Sequence, residues 1–539
     1  MTGGSRIKTS NPPCPRCKTG YMHKDGFTDG AGRKQRWTCR PGGGNREICY
    51  STTRPDLPVR GHNMQPVKNV IPVYRRQLEP VERYIVTAAQ NATPIHEQFW
   101  ASLKVAAREL KVELLVIPLR YKNPTSRWTQ SQANEEVWAS GLRPYLWNQR
   151  KNLNRNLVLL ADIKTQPTAS EPLRGYEGIS HGESGILGHT KLQMRVIPTP
   201  QNKFPKILTT TGAVTVPNYT DSRAGKLGEF HHTLGAVLVE IQGKIFHLRH
   251  LNASKSTGEF TDLNRVYAPH GSRKAERAHA LVMGDTHTDF IDPDVAAATF
   301  GEGGMIETLN PTHLVYHDLL DAYSVNPHHA GNPFAGLAKH RQNLRDVQAE
   351  ISRAVQFVVK HLGKDRKAVI VSSNHDDMVQ RYMLTQDWRD DPANAVFYLK
   401  TAVMIAEAMR IGKHGMEMPS AFRHWFTQLA ADSMDRIRLL GDNESFTLAG
   451  VELGMHGDRG PSGARGSARN LRRIGVKSII GHSHSPCIEE GCYQTGTSTP
   501  LRLEYNSGPS AWLNTHCVLH ADGKRQLINI IEGEWRLAN

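Results

Sequence analysis

Apolar residues in this chain come in short runs. No stretch of about 18 apolar residues occurs, which excludes an ordinary membrane-spanning helix. From residue 275 onward, runs rich in Val, Ile and Leu alternate with amphipathic stretches. That is the alternation of strands joined by helices. Five runs end in residues that bind metals: HALVMGDTH (279–287), THLVYHDLLD (312–321), KAVIVSSNHDD (367–377), VELGMHGD (451–458) and VKSIIGHSH (476–484). Between the third and fourth, AVFYLKTAVMIAEAM and FRHWFTQLAADSMDRIRLL place apolar residues at helical spacing, so a helical insertion is predicted over about 378–447. Residues 53–82 carry repeated prolines and little periodicity, and read as an extended linker.

At 539 residues the chain has room for about three to five domains. Hydrophobic residues are 38% and charged residues 22%, enough to bury cores and too balanced for wholesale disorder. The opening MTGGSRIKTS lacks the apolar stretch of a secretory signal, and seven Cys are too few for a disulfide scaffold. A cytoplasmic protein with no membrane partner is expected. The net charge of +16 asks for a polyanion, most simply nucleic acid. Residues 1–80 hold 15 Lys/Arg against 5 Asp/Glu, so the excess is concentrated there.

Four of the Cys fall within that basic region: Cys14, Cys17, Cys39 and Cys49. CPRC is a tight pair of the kind that shares one tetrahedral zinc. The segment that follows resembles the zinc ribbon that opens many transposase-type proteins. Nine residues separate Cys39 from Cys49 where that ribbon has a second tight pair, leaving His23 as an alternative fourth ligand. One structural Zn²⁺ over residues 1–52 is expected. Arg33, Lys34, Arg36 and Trp37 combine cations with an aromatic ring, as suits backbone contact plus base stacking.

The five ligand-bearing runs carry the chemistry. Asp and His one residue apart at a strand end can point the same way. A pair of divalent metals needs a shared carboxylate plus N and O ligands for each ion. In order, D-T-H, H-D-L-L-D, S-N-H-D, M-H-G-D and G-H-S-H resemble the motifs of the calcineurin-like metallophosphoesterase superfamily, with His317 and Ser373 standing where glycines are usual. The resemblance covers about residues 279–532. It implies an α/β fold, a two-sheet α/β/β/α sandwich. It assigns Asp285, His287, Asp318 and His484 to one metal, and Asp318, Asn374, His456 and His482 to the other. His375 would face the scissile phosphate, and Asp376 would orient His375. The implied chemistry is phosphoester hydrolysis by a water activated between two divalent metals. Mn²⁺ is favoured by likeness to the superfamily's nucleases, with Fe²⁺ and Zn²⁺ open.

Between two of the motifs, GDRGPSGARGSARNLRRIG (457–475) places Arg465, Arg469, Arg472 and Arg473 on a Gly/Ser-rich loop suited to a phosphodiester backbone. The function expected is a metal-dependent DNA nuclease. A metallophosphatase on a small or protein substrate, or a DNA-binding inhibitory protein, are the alternatives. The strings YIVTAAQNATP and LLVIPLRYKNPTS resemble phage-encoded pre-early DNases of large tailed phages, which implies action on DNA in a host cytoplasm. Self-association is left open.

Residues 83–268 repeat the motif-bearing half (275–539) in weaker form. Segments 82–91, 112–120, 175–183, 186–191 and 207–219 parallel 278–287, 312–320, 450–458, 479–484 and 501–514. In that register Ala89 stands at Asp285, Pro118 at Asp318, Ile163 at Asn374 and Lys191 at His484. The first half is therefore expected to be a degenerate phosphoesterase-like domain without a metal pair.

Overall fold

The computed structural model describes residues 22–27, 35–39, 50–52, 82–120, 138–200, 203–329, 331–332, 334–411, 418–503 and 506–537. The chain divides into two compact units, Met1–Leu78 and Glu79–Asn539. In the first, His23–Phe27, Gln35–Cys39 and Tyr50–Thr52 form a three-stranded antiparallel sheet. Met22, Thr38 and Cys39 are buried, and the Lys24 ammonium lies 5.6 Å from the Trp37 ring centre. Cys14, Cys17, Cys49, Arg33, Lys34, the Arg36 side chain and the linker residues 53–81 lie outside the described residues.

The second unit is a mixed α/β assembly of facing sheets, with no closed barrel among the described residues. A six-stranded sheet runs in the order Ile437–Leu439, Lys367–Ile370, His313–Tyr316, Ala280–Val282, Thr515–Leu519, Arg525–Asn529. The first four strands are parallel and the last two antiparallel. Side-chain alternation builds two layers from one strand: Ala280 and Val282 face the inter-sheet core, while Leu281 and Met283 face helices. One such helix, Val347–Leu362, starts where the Asp346 carboxylate accepts from Ala349 N at 2.9 Å. Its Val347, Ile351, Ala354, Val355, Val358 and Leu362 form the buried stripe. Gly363, at φ +66°, ends it.

The two halves of this unit share strand order and sense. In the first half, Ile245–Asn252, Gly235–Gln242, Glu82–Gln90 and Glu113–Leu119 pair as the last four strands of the six-stranded sheet do. Facing them, a single ten-stranded sheet spans both halves. Its strands Arg150–Asn154, Leu157–Leu160, Ser184–Leu187, Lys206–Thr210 and Gln193–Ile197 mirror Thr447–Leu448, Val451–Glu452, Lys477–Ile480, Cys492–Gln494 and Cys487–Glu489. The halves join where Met194 pairs antiparallel with Ile488. Residues 83–268 and 275–539 thus share one sheet and one core instead of forming two separate bodies.

This pairing corrects the register read from sequence. The bridge Ala88↔Ala213 matches Asp285↔Thr497, so Ala88 takes the place of Asp285, one residue before Ala89. Leu157–Leu160 matches Val451–Glu452, which puts Asp162 where His456 stands and removes 175–183 from that role. The strand Lys367–Ile370, which leads to Asn374, is answered among the described residues by a single parallel bridge from Leu146 to Val116, so Ile163 does not answer to Asn374. Short apolar strings match in several registers, and only hydrogen bonding between strands selects one.

Candidate metal centre

Parallel strands deliver their C-terminal ends to one place. Ala280–Val282 leads to Asp285 and His287, His313–Tyr316 to Asp318 and Asp321, and Lys367–Ile370 to Asn374 and His375. From the facing sheet, Val451–Glu452 leads to His456 and Lys477–Ile480 to His482 and His484. The loops are held by main-chain bonds: His287 N donates to Asp318 O at 2.7 Å, and Gly481 N to His456 O at 2.7 Å. His287, Asp318, His482 and His484 all adopt positive φ, from +41° to +77°. Non-glycine residues do so rarely, and such strain concentrates at functional sites. A Cβ on Gly481 would lie 2.2 Å from Asp285 Oδ1 and 3.0 Å from His317, so the site closes only around glycine.

Asp285, His287, Asp318 and His484 are buried and offer ligand atoms within 4.8 Å of one another. Asp318 Oδ2 lies 3.8 Å from His287 Nε2 on one side and 3.2 Å from His456 Nε2 on the other. Beyond His456, Asn374 Oδ1 is 3.1 Å from His456 Nε2 and 3.0 Å from His482 Nδ1. All seven residues singled out as metal ligands therefore converge, with Asp318 between the two sets. Asp318 Oδ1 is buried without a hydrogen-bond partner. A carboxylate oxygen left so is costly unless a cation meets it. The donors are imidazole, carboxylate and amide, with no thiolate, which suits Mn²⁺, Fe²⁺ or Zn²⁺. The residues fit a metal.

Electrostatics point the same way. Burial opposes charge on His287, but the bond to Asp321 and the charges of Asp321, Asp318 and Asp285 outweigh it and raise the ring to about 9. His456, buried but beside Asp318 and Asp285, is likewise raised to about 9. Asp318 is held well below the usual carboxylate range: burial opposes ionisation, and the surrounding histidines overcome it. Without metal the cluster stores protons in the place of cations.

Protein A1 of Escherichia phage T5 is 31% identical to this chain over 470 residues, covering 84% of this chain and 83% of the phage protein. The chain belongs to the family of protein A1. No family model matches it.

The remaining expected residues of this A1-family chain divide. His375 lies at the edge of the cluster, its ring centre 4.7 Å from that of His287. Its Nδ1 is 2.7 Å from the main-chain oxygen of Asp321 and 3.9 Å from that residue's carboxylate. Asp321, not Asp376, is the acid that meets His375. Both Asp376 carboxylate oxygens are buried without hydrogen-bond partners, and burial pushes that group well up. Asp321 also stands 3.3 Å from His287 Nδ1. Its spacing from Asp318 was visible in sequence, but its two contacts depend on the loop's path. Trp512, whose ring centre is 4.2 Å from that of His484, gave no signal in the motifs.

The arginine loop is partly committed elsewhere. Arg472 lies 3.1 Å from Glu489, 3.5 Å from Glu490 and 3.6 Å from Glu171, in an ion network across the junction of the halves. Arg195 joins it, 2.6 Å from Glu489. Arg469 reaches Glu171 at 3.5 Å yet stays exposed. Arg465 and Arg473 are exposed.

At the corresponding strand ends of the first half, protein groups occupy the ring nitrogens. His189 Nε2 is 2.8 Å from Gln166 O, and His232 lies between Tyr219 Oη (3.1 Å) and Thr215 O (2.8 Å). Lys191 Nζ donates to Ser170 O at 2.6 Å and pairs with Glu490 at 2.9 Å. Among the described residues no metal-type cluster occurs there.

Proposed function

We propose that this protein is a metal-dependent DNA nuclease of the metallophosphoesterase type. The observation that carries the reading is Asp318, a buried carboxylate between two sets of N and O donors, with His375 beside it. Asp285, His287, Asp318 and His484 would hold one divalent ion, and Asp318, Asn374, His456 and His482 a second. When bound, the ions supply positive charge against the phosphate oxygens and favour deprotonation of the attacking water.

The chain's own residues do the rest. His375 donates Nδ1–H to the Asp321 carbonyl, which turns Nε2 toward the substrate side. Burial lowers this ring's hold on a second proton, so when the ring takes one up at Nε2 it is a strong acid toward the departing oxygen. Asp321 orients both His287 and His375. The net charge of +16 and the exposed Arg465, Arg469 and Arg473 support a polyanionic substrate. A zinc ribbon over residues 1–52 would add a second DNA contact. The shared strand order supports reading residues 83–268 as a degenerate copy acting as scaffold. The relative's phage source favours a phage-encoded enzyme working on DNA in the host cytoplasm.

The test is incubation of chelator-treated protein with circular and linear DNA, with and without Mn²⁺. Cleavage only with metal, lost in Asp318→Ala, is expected. Turnover of a small phosphomonoester with both DNAs left intact would transfer the assignment to a phosphatase.

A further inference from the structure

Among the described residues, exposed large apolar side chains concentrate in the helical insertion, including Leu384, Trp388, Val396, Leu399, Val403 and Ile411. Four of these follow one helix, Ala395–Arg410, and the residue after it. Its inner face is accounted for: Phe397, Thr401 and Ile405 are buried, Phe397 stacks on Trp425 at 5.3 Å, and Trp425 Nε1 donates to Thr401 Oγ1 at 2.7 Å. The outer face carries Val396 (63% exposed), Leu399 (45%) and Val403 (58%), then Ile411 (57%). Val396, Leu399 and Val403 are spaced by three and four residues and Ile411 follows about two turns on, a seam of the kind that packs against another helix. Beside it runs a groove of about 410 Å³ lined by Lys400, Met404, Glu407, Ile411 and others.

We propose that a second copy of the chain docks on this face, the two copies of the helix packing antiparallel about a twofold axis. The charge pattern selects this occupant. Centre the antiparallel pair between Val403 and Met404, and Lys400 of each copy faces Glu407 of the other. The same register sets Val396 against Ile411 and Val403 against Met404. Unlike charges and apolar residues match in one alignment, the self-complementarity that a twofold interface requires. A membrane or an unrelated apolar peptide has no need of opposite charges placed symmetrically about the stripe. The interface lies on the helical insertion and does not depend on what the metal centre hydrolyses.

The test is sedimentation of the full chain over a micromolar concentration series. The wild type is expected as a dimer or a multiple of two, and Val403→Lys should weaken association by about tenfold or more. Lys400→Glu and Glu407→Lys change only exposed residues, so their folding is not at risk. Each alone places like charges together and should weaken association. An equimolar mixture restores both unlike pairs and should recover it. A monomeric wild type would overturn the proposal and leave the face to a different partner. Charge variants that associate as the wild type does, or a mixture that fails to recover, would overturn it equally.

Discussion

Replacing Asp321 by Asn alters one atom and one charge, and two histidines register the change. Asp321 Oδ1 is 3.3 Å from His287 Nδ1 and 3.9 Å from His375 Nδ1. With His287 Nε2 turned to the cluster, its Nδ1 faces the carboxylate at ion-pair distance without the alignment of a hydrogen bond. An aligned bond to a charged group contributes about 1.5–3 kcal/mol, and this looser charge contact contributes about 1–2 kcal/mol. Asn keeps the oxygen and loses the charge, so the loss in Asp321→Asn is about 1 kcal/mol, and Mn²⁺ affinity should fall about fivefold. Asp321→Ala removes the partner altogether, for about 10–100-fold, the range found for carboxylates behind metal-binding histidines. His375 keeps its bond to the main-chain oxygen in both variants, so turnover at saturating metal should fall less than affinity does. Calorimetric Mn²⁺ titration of metal-free protein gives the first quantity, and hydrolysis of a small phosphodiester the second. Unchanged affinity in both variants would refute the reasoning, as would an Asn variant as damaged as Asp318→Asn.

Metal binding should be proton-linked. His287 and His456 are raised to about 9 in the metal-free protein, so their contribution to stability is fully present below about 6.5 and lost as pH rises through about 9. Thermal melts of metal-free protein should therefore fall across that window, while the stabilisation added by Mn²⁺ grows as the rings give up their protons; a metal increment that shrinks with rising pH would show the signs are wrong. Arg472→Ala should lower stability by about 1–3 kcal/mol, because Glu489 loses one of its two guanidinium partners, while DNA affinity stays unchanged. Weaker DNA binding with an unaltered melt would instead make Arg472 a substrate contact. Removing residues 1–52 should weaken DNA binding and flatten its salt dependence, with small phosphodiester turnover retained. Equal affinity at every salt concentration would take residues 1–52 out of DNA contact.

What the sequence revealed and what it hid follow from how far apart the interacting residues lie. Asp285, His287, Asn374, His482 and His484 were legible because each follows a Val/Ile-rich run within a few residues, and parallel strands bring such ends together. The helix Ala395–Arg410 was legible for the same local reason, since Phe397, Thr401 and Ile405 repeat at four-residue spacing and are the buried face, but Ile437–Leu439, expected within the helical insertion, is the edge strand of the six-stranded sheet. The ion partners of Arg472 were hidden because Glu171, Glu489 and Glu490 sit on other segments, one of them some 300 residues away. Adjacency in sequence favours Asp376 over Asp321 as the partner of His375, yet a helix begins at Asp376 and its carboxylate is buried beside the charges of Asp318 and His456 without a hydrogen bond to His375. The register between the halves failed where strands differ in length, since an extra residue before Asp285 and the reduction of the strand before Asn374 to one bridge at Leu146 leave no local trace.

The shared role of Asp318 is tested most directly by diffraction from Mn²⁺-soaked crystals at the manganese absorption edge. Two anomalous peaks are predicted, one on each side of the Asp318 carboxylate, the first near Asp285, His287 and His484 and the second near Asn374, His456 and His482. A single peak that leaves Asn374 and His482 uncoordinated, or peaks away from Asp318, would contradict the two-metal reading.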